Sequence, residues 1–322
     1  MLGRRRPGWY SGNLLHHPQF KAYSALLAVC IFWGTTYLGI RMALETFPPI
    51  LLVGVRFLAS GSILLVAAWI GGAHIPRGRE LWVSVFTGIV GLGGGNGCLT
   101  FAELSIPSGL AALLITTSPF WMVGIEAVMP GGERLHRPTI IGMLVGLSGA
   151  ALLFSPGITS AGAGSAAIYG FLLLQFGNAC WAYAAIYQRR QQAKAHPVVT
   201  GAIQQLAAGL AFMMVTAVIP EHPVQWSLRG VAVLVYLIVF GSIVGYSAYI
   251  YALMRLPVAI VSIYPYVNPI VAVALGWLFY REPFGALEAV AMLVIFAGVT
   301  IVKRFTPQGD PHANLAKQQG SA

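Results

Sequence analysis

Ten apolar runs of membrane-spanning length dominate this 322-residue sequence. A helix that crosses the hydrocarbon core of a bilayer needs about 20 mostly apolar residues. Runs of that kind occupy 24–43, 50–72, 80–103, 107–129, 137–155, 166–189, 198–219, 228–253, 257–280 and 285–303. Helix-breaking residues punctuate them: Pro48-Pro49, Gly71-Gly72, Pro107, Gly131-Gly132, Pro156, Pro197, Pro220, Pro257 and Pro283. Charged residues make up 9% of the chain, against about 25% in soluble domains. The pattern predicts an all-α polytopic membrane protein with ten transmembrane helices.

The net charge of +10 does not point to nucleic acid, because the basic residues sit in short gaps between the apolar runs. There they read as topology signals. With the N-terminus in the cytoplasm, fifteen Lys and Arg fall on the cytoplasmic side, while Arg41, Arg229 and Arg281 fall outside and Arg56 lies within the second run. That asymmetry predicts that both termini are cytoplasmic, in a cell inner (plasma) membrane. The N-terminal segment lacks the apolar core of a signal peptide, so the first run is expected to remain as a helix.

The two halves of the chain come into register at an offset of 148 to 150 residues. Trp33 meets Trp181, Arg41 meets Arg189, Pro49 meets Pro197 and Gly61 meets Gly209. Further along, Gly91 meets Gly241, Gly95 meets Gly245, Pro107 meets Pro257, Pro119 meets Pro269, Glu133 meets Glu282 and Gly149 meets Gly298. Each half would hold five spans, an odd number, so the second half must enter the membrane upside down. The organisation predicted is a cytoplasmic segment 1–23, a first five-helix repeat 24–155, a linker loop 156–165, an inverted repeat 166–303 and a cytoplasmic tail 304–322. Inverted repeats are a transporter architecture, with the substrate site near the midplane where the halves meet.

Several chemistries are absent. Cys30, Cys98 and Cys180 lie in apolar runs without CxxC or Cys/His spacing, so neither a disulfide framework nor a metal site is read. No nucleophile-elbow serine, zinc-protease helix or paired intramembrane aspartates occur, so the chain is not expected to be an enzyme. The glycines from Gly91 to Gly97 are not a phosphate loop, because no strand precedes them and no Lys-Ser/Thr follows. No cofactor is expected. The partners expected are a small-molecule substrate and membrane lipid, the protein working as a monomer.

Phe32-Trp33-Gly34-Thr35-Thr36-Tyr37 in the first run, followed by Arg56-Phe57, resembles the EamA-type branch of the drug/metabolite transporter superfamily. Pro119 and Pro269, each ahead of a loop with a glutamate (Glu133, Glu282), add to the likeness, which covers about residues 24–303. The second half departs from the first: Ala182 follows Trp181, and Gln204 stands where the arginine would be. The resemblance implies a ten-helix fold with a central cavity between helices 1–4 and 6–9, helices 5 and 10 being peripheral. It implies export of amino acids or similar metabolites, with YddG-like exporters of aromatic and neutral amino acids the nearest group.

Intramembrane charge is costly and therefore informative. Arg56 lies about two turns into the second run, Glu103 and Glu126 near run ends, and Glu288 in the first turn of the last; the lone aspartate is Asp310 in the tail. No carboxylate or histidine holds a midplane position, which favours facilitated diffusion or exchange over a proton relay. A single intramembrane cation also disfavours phosphorylated cargo. Arg56 reads either as an anchor for a substrate carboxylate or as a structural contact that fixes helices 1 and 2. The expected cavity lining is Trp33, Thr36, Tyr37, Arg56, Asn96, Thr100, Ser118, Trp181, Gln204, Tyr246, Tyr249, Tyr266 and Asn268. A wider midspan set adds Thr116, Thr117, Asn178, Tyr183, Gln205 and Tyr264. Such residues suit a zwitterionic ligand with an apolar side chain; the alternative for each is interhelical packing. Pro119 and Pro269 are candidate gating kinks. The competing function is a multidrug or other metabolite exporter with proton coupling, for which Glu126 would have to serve.

Overall fold

The computed structural model describes residues 18–132, 135–152, 163–191, 195–256, 258–261, 263–282 and 284–305. The N-terminal arginines, Glu133, Arg134, Pro156, Lys194, Pro257, Pro283 and most of the tail lie outside the described residues. Helices are α1 (Pro18–Ala43), α2 (Pro49–Ile70), α3 (Arg79–Ala102), α4 (Ser108–Val128), α5 (Arg137–Leu152) and α6 (Ala163–Arg190). They continue with α7 (Pro197–Val218), α8 (Leu228–Arg255), a single turn Val258–Val261, α9 (Tyr264–Tyr280) and α10 (Ala286–Phe305). No strand occurs among the described residues. Seven of these helices are long and apolar enough to cross a membrane: α1 to α4, α7, α8 and α10. The described part of α5 has 16 residues and that of α9 has 17. The 28-residue α6 is diluted by Gln175, Asn178, Gln188, Arg189 and Arg190.

The helices pair antiparallel through glycine. On α2, a Cβ at Gly61 would fall on the backbone nitrogen of Leu206 in α7; on α7, a Cβ at Gly209 would fall on that of Leu58 in α2. The two helices therefore touch backbone to backbone, as small residues permit in a bilayer. Their ends are tied reciprocally by carboxylates. Glu221, just beyond α7, accepts from the amides of Ile50 (2.9 Å) and Leu51 (3.0 Å) at the start of α2. Glu80, at the start of α3, accepts from Ala195 N at 2.6 Å, just ahead of α7. Carboxylates at these N-termini satisfy free amides and oppose the positive end of the helix dipole. The pair α5 and α10 uses the same device: a Cβ at Gly142 would meet Gly298 O and Val302 N at 2.9 Å, and one at Gly149 would meet Ile295 N at 2.9 Å.

Two features have no counterpart in the sequence expectations. α3 contains a π-helical stretch, Gly88–Gly94, and α8 contains another, Leu237–Val244. They fall at matching positions of the sequence repeat. The wider π turn shifts the backbone register and releases carbonyls for outside donors. In α8 one such carbonyl, Gly241 O, accepts the Trp33 indole N–H at 3.0 Å.

The proline pair is not symmetric. α4 is interrupted at Thr116–Thr117, and Pro119 sits in the first turn of the segment that follows. In the second half the interruption precedes Tyr264, with Pro265 in the first turn, so Pro269 lies inside a continuous α9. The expected matched kinks at Pro119 and Pro269 are thus displaced by one helical turn in the second half, because Pro265 supplies the break there.

If the crossing of α2 and α7 is the structural keystone, Gly61→Ala should destabilise strongly. Overpacking costs about 1–3 kcal/mol where neighbours can shift, and here the neighbour is backbone. Gly93→Ala should be mild, since the nearest atom its Cβ would meet is in the Phe212 ring at 3.4 Å, with Gly88 O and Ala208 Cβ at ordinary contact distance. Thermal unfolding of both variants in detergent checks this ordering.

Candidate functional site

A cavity of about 550 Å³ lies inside the bundle. Its wall is assembled from α1, α2, α3, α4, α6, α7, α8, α9 and the last turn of α10. The peripheral α10, which packs mainly on α5, still borders the cavity through Val299, Val302 and Lys303.

Arg56 is a buried cation of the cavity wall. Its residue is 7% exposed, yet its side chain lines the cavity. Nε donates to Ser242 Oγ at 2.9 Å and the guanidinium lies 5.0 Å from the Phe57 ring centre. Gly241 makes this possible: a Cβ there would stand 2.8 Å from Thr36 Cγ2 and 3.2 Å from Arg56 Nη2. Arg56 thus makes a structural contact with Ser242 and also borders the cavity.

The aromatic wall is mutually braced. Trp33 packs against Tyr249 and Tyr264, each at 5.1 Å between ring centres, and Tyr249 meets Tyr264 at 5.6 Å. The two contacts of Tyr264 are edge-on and that of Trp33 with Tyr249 is tilted, geometries that aromatic pairs prefer. A Cβ at Gly245 would reach 2.6 Å from Trp33 Nε1, so only glycine admits the indole.

The amide groups hold the broken helices. Asn178 donates to Leu114 O (3.2 Å) and Thr117 Oγ1 (3.1 Å), and its Oδ1 accepts from Ser118 at 2.9 Å. With its amide turned to donate, Asn268 reaches Tyr264 O at 3.0 Å and Cys30 O at 3.1 Å. The single Ser118 hydroxyl proton is shared between Asn178 Oδ1 and Ile115 O, the latter at 2.5 Å and left without an amide donor by Pro119. Gln205, 1% exposed, accepts from Ser60 at 2.5 Å and borders the cavity.

Most of the expected site residues converge. Trp33, Thr36, Tyr37, Arg56, Asn96 and Ser118 line the cavity, as do Trp181, Tyr246, Tyr249, Tyr266 and Asn268. Pro119 joins them, whereas Pro269 is buried within α9 and is not in the wall. Two expectations require correction. Thr100 is buried and returns its hydroxyl to Asn96 O at 2.8 Å, away from the cavity. Gln204 faces α3 and α6, donating to Thr87 (3.0 Å) and Gln188 (2.6 Å). Its neighbour Gln205 points inward instead, a rotation of about 100° along the helix. Tyr183 stacks on Tyr187 outside the cavity. Ser242 and Lys303 escape a reading of the sequence: Ser242 is recognisable only through Arg56, and Lys303 has the position of a topology charge at a span end.

One end of the bundle is packed shut, with Ile40, Ala43, Phe47 and Ile106 buried in one cluster, and polar ties cross it. Arg41 donates to the backbone carbonyl of Glu103. Glu282 accepts from Ser108 N (2.9 Å), Gly109 N (3.0 Å) and Ser108 Oγ. Thr46 and Ser227 share a bond of 2.8 Å, and Glu45 pairs with Arg229 at 3.5 Å and accepts from Tyr280. At the opposite end, Glu126 is engaged by Arg189 (2.6 Å) and Arg190 (2.7 Å), outside the cavity wall.

Apolar helices of membrane-crossing length, packed around a cavity with an aromatic wall and fixed polar groups, define a multi-pass membrane transporter. The chain belongs to the EamA-like transporter family, whose pattern it matches twice, over residues 20–155 and 168–304. It is 34% identical over 282 residues to the uncharacterized inner membrane transporter YedA of Escherichia coli (strain K12), covering 87% of this chain and 90% of that one. It is 28% identical over 295 residues to a probable terminal-alkyne amino-acid exporter of Streptantibioticus cattleyicolor, covering 89% and 94%. A solved crystal structure shares the fold with a TM-score of 0.63 at 21% identity, over 89% of this chain and 99% of that chain.

The neighbouring glutamines separate cavity from packing. Gln205→Ala should weaken ligand binding, whereas Gln204→Ala should leave affinity near wild type and lower only stability. Ligand-induced thermal shifts on the two purified variants check this.

Proposed function

We propose that the protein exports small metabolites, most specifically aromatic or other neutral amino acids, across the inner membrane by alternating access. The observation that carries this reading is Arg56, held by Ser242 in the wall of a cavity that is otherwise aromatic and neutral apart from Lys303. A buried guanidinium with one edge fixed is suited to a carboxylate. The braced rings of Trp33, Tyr249 and Tyr264 suit an apolar side chain or an ammonium group. The outward direction and the inner-membrane location draw on the exporter and YedA relatives.

The architecture proposed is ten spans in two inverted five-helix repeats, acting as a monomer with both termini cytoplasmic. The antiparallel pairing of α2 with α7 and of α5 with α10, through repeat-matched glycines, supports it. Facilitated diffusion or exchange is the favoured mode, because the charged residues in the wall, Arg56 and Lys303, are both cations. A proton-coupled exporter of lipophilic cations would want a carboxylate in that wall. Glu126, its candidate, is paired with two arginines elsewhere.

In proteoliposomes, labelled phenylalanine or leucine should show counterflow without a pH gradient. Arg56→Ala should raise the half-saturating concentration roughly tenfold to a hundredfold, the range for a lost charge-assisted hydrogen bond. Arg56→Lys should not restore it, since lysine cannot both hold Ser242 and face the ligand. Counterflow absent for every neutral amino acid tried would refute the substrate class.

A further inference from the structure

Glu103 stands at the end of α3 and is 0% exposed. Neither of its carboxylate oxygens has a hydrogen-bond partner among the described residues. The cations that act on it are engaged otherwise: Arg41 donates to the backbone carbonyl of Glu103, and Arg56 donates to Ser242. The charged and titratable groups felt by this carboxyl are Tyr37 and Arg41 from α1, Arg56 from α2 and Glu282 beyond α9. Glu103 is outside the cavity wall, so it does not meet the ligand there.

Its position is informative. Glu103 lies within the closed end, where Arg41 ties α1 to α3 and Glu282 ties α4 to the segment after α9. An ionised carboxylate buried without a donor is one of the costliest groups a protein can hold, whereas the neutral acid costs far less. Separation of α1 and α9 from α3 and α4 would admit water to the same carboxyl and lift that penalty.

We propose that Glu103 is a proton-binding site that links closure of this end to pH. Resting on the alternating-access reading, the proposal has the carboxyl neutral while the end is closed and ionised once it opens. Closure takes one proton from the water at that end, and opening returns it to the same water. No net proton crosses the membrane, so the device is compatible with diffusion or exchange. Low pH at that face favours the closed state, and high pH favours the open one.

Thiol labelling tests it in a background lacking Cys30, Cys98 and Cys180. Ile40→Cys reports opening, because Ile40 is 1% exposed in the core of α1 at this end. His222→Cys, in the exposed loop between α7 and α8, is the control that cancels thiol ionisation. The labelling ratio of the two sites should rise with pH, by up to about tenfold per unit for one linked proton. In Glu103→Gln, and in Glu103→Met as a second neutral variant, the ratio should stay low and flat. A flat ratio in the parent, or an unchanged slope in a folded variant, would overturn the proposal. Infrared difference spectra of parent and variant decide independently of any flux: a carboxylic-acid C=O band of Glu103 in the closed state supports the site, and its absence refutes it. Failure of amino acid counterflow with this band and slope intact would strike the substrate reading alone.

Discussion

The fold depends on backbone-to-backbone contact between α2 and α7 at Gly61 and Gly209. In a bilayer, apolar side chains gain little by leaving lipid for protein, so close packing and polar ties must hold helices together. Glycine supplies the first by removing the side chain at the crossing. Glu221 and Glu80 supply the polar ties by capping the ends of the same two helices. With this pair set, the remaining helices have a frame against which to enclose a cavity instead of collapsing onto one another.

The cavity is built from groups that are individually satisfied. Asn178, Asn268 and Ser118 bind carbonyls near the break in α4 and the start of α9, so helix breaks persist at membrane depth with these carbonyls satisfied. Trp33 takes a carbonyl within the π-helical part of α8. The side chains that could meet a ligand are therefore held in place before it arrives, which limits the ordering cost of binding. Arg56 follows the same logic, with Ser242 fixing its orientation. Outside the wall, the Glu103 carboxylate and the Gln175 amide nitrogen are buried without a hydrogen-bond partner among the described residues.

Much of the site was legible because apolar runs make polar residues conspicuous. Trp33, Arg56, Asn96, Tyr246 and Asn268 stand out in such runs, and all of them reach the cavity. What failed was facing. Gln204 and Gln205 are adjacent and chemically identical, and only the rotation of α7 decides that Gln205 points inward. Thr100 has the right chemistry but spends its hydroxyl on its own helix. Pro269 matched Pro119 in the repeat, yet Pro265 moved the break by a turn. The π-helical stretches carried no distinct composition beyond their glycines.

The amino-acid sequence determined the apolar runs, the breaks between them and the duplication that pairs Gly61 with Gly209, because these follow from local composition and spacing. Tertiary structure decided which face of each helix meets the cavity, that the end of α10 joins the wall, and that the Glu103 carboxylate is buried with no hydrogen-bond partner among the described residues. Those outcomes depend on helix rotation and on contacts between residues far apart along the chain, which no local pattern encodes.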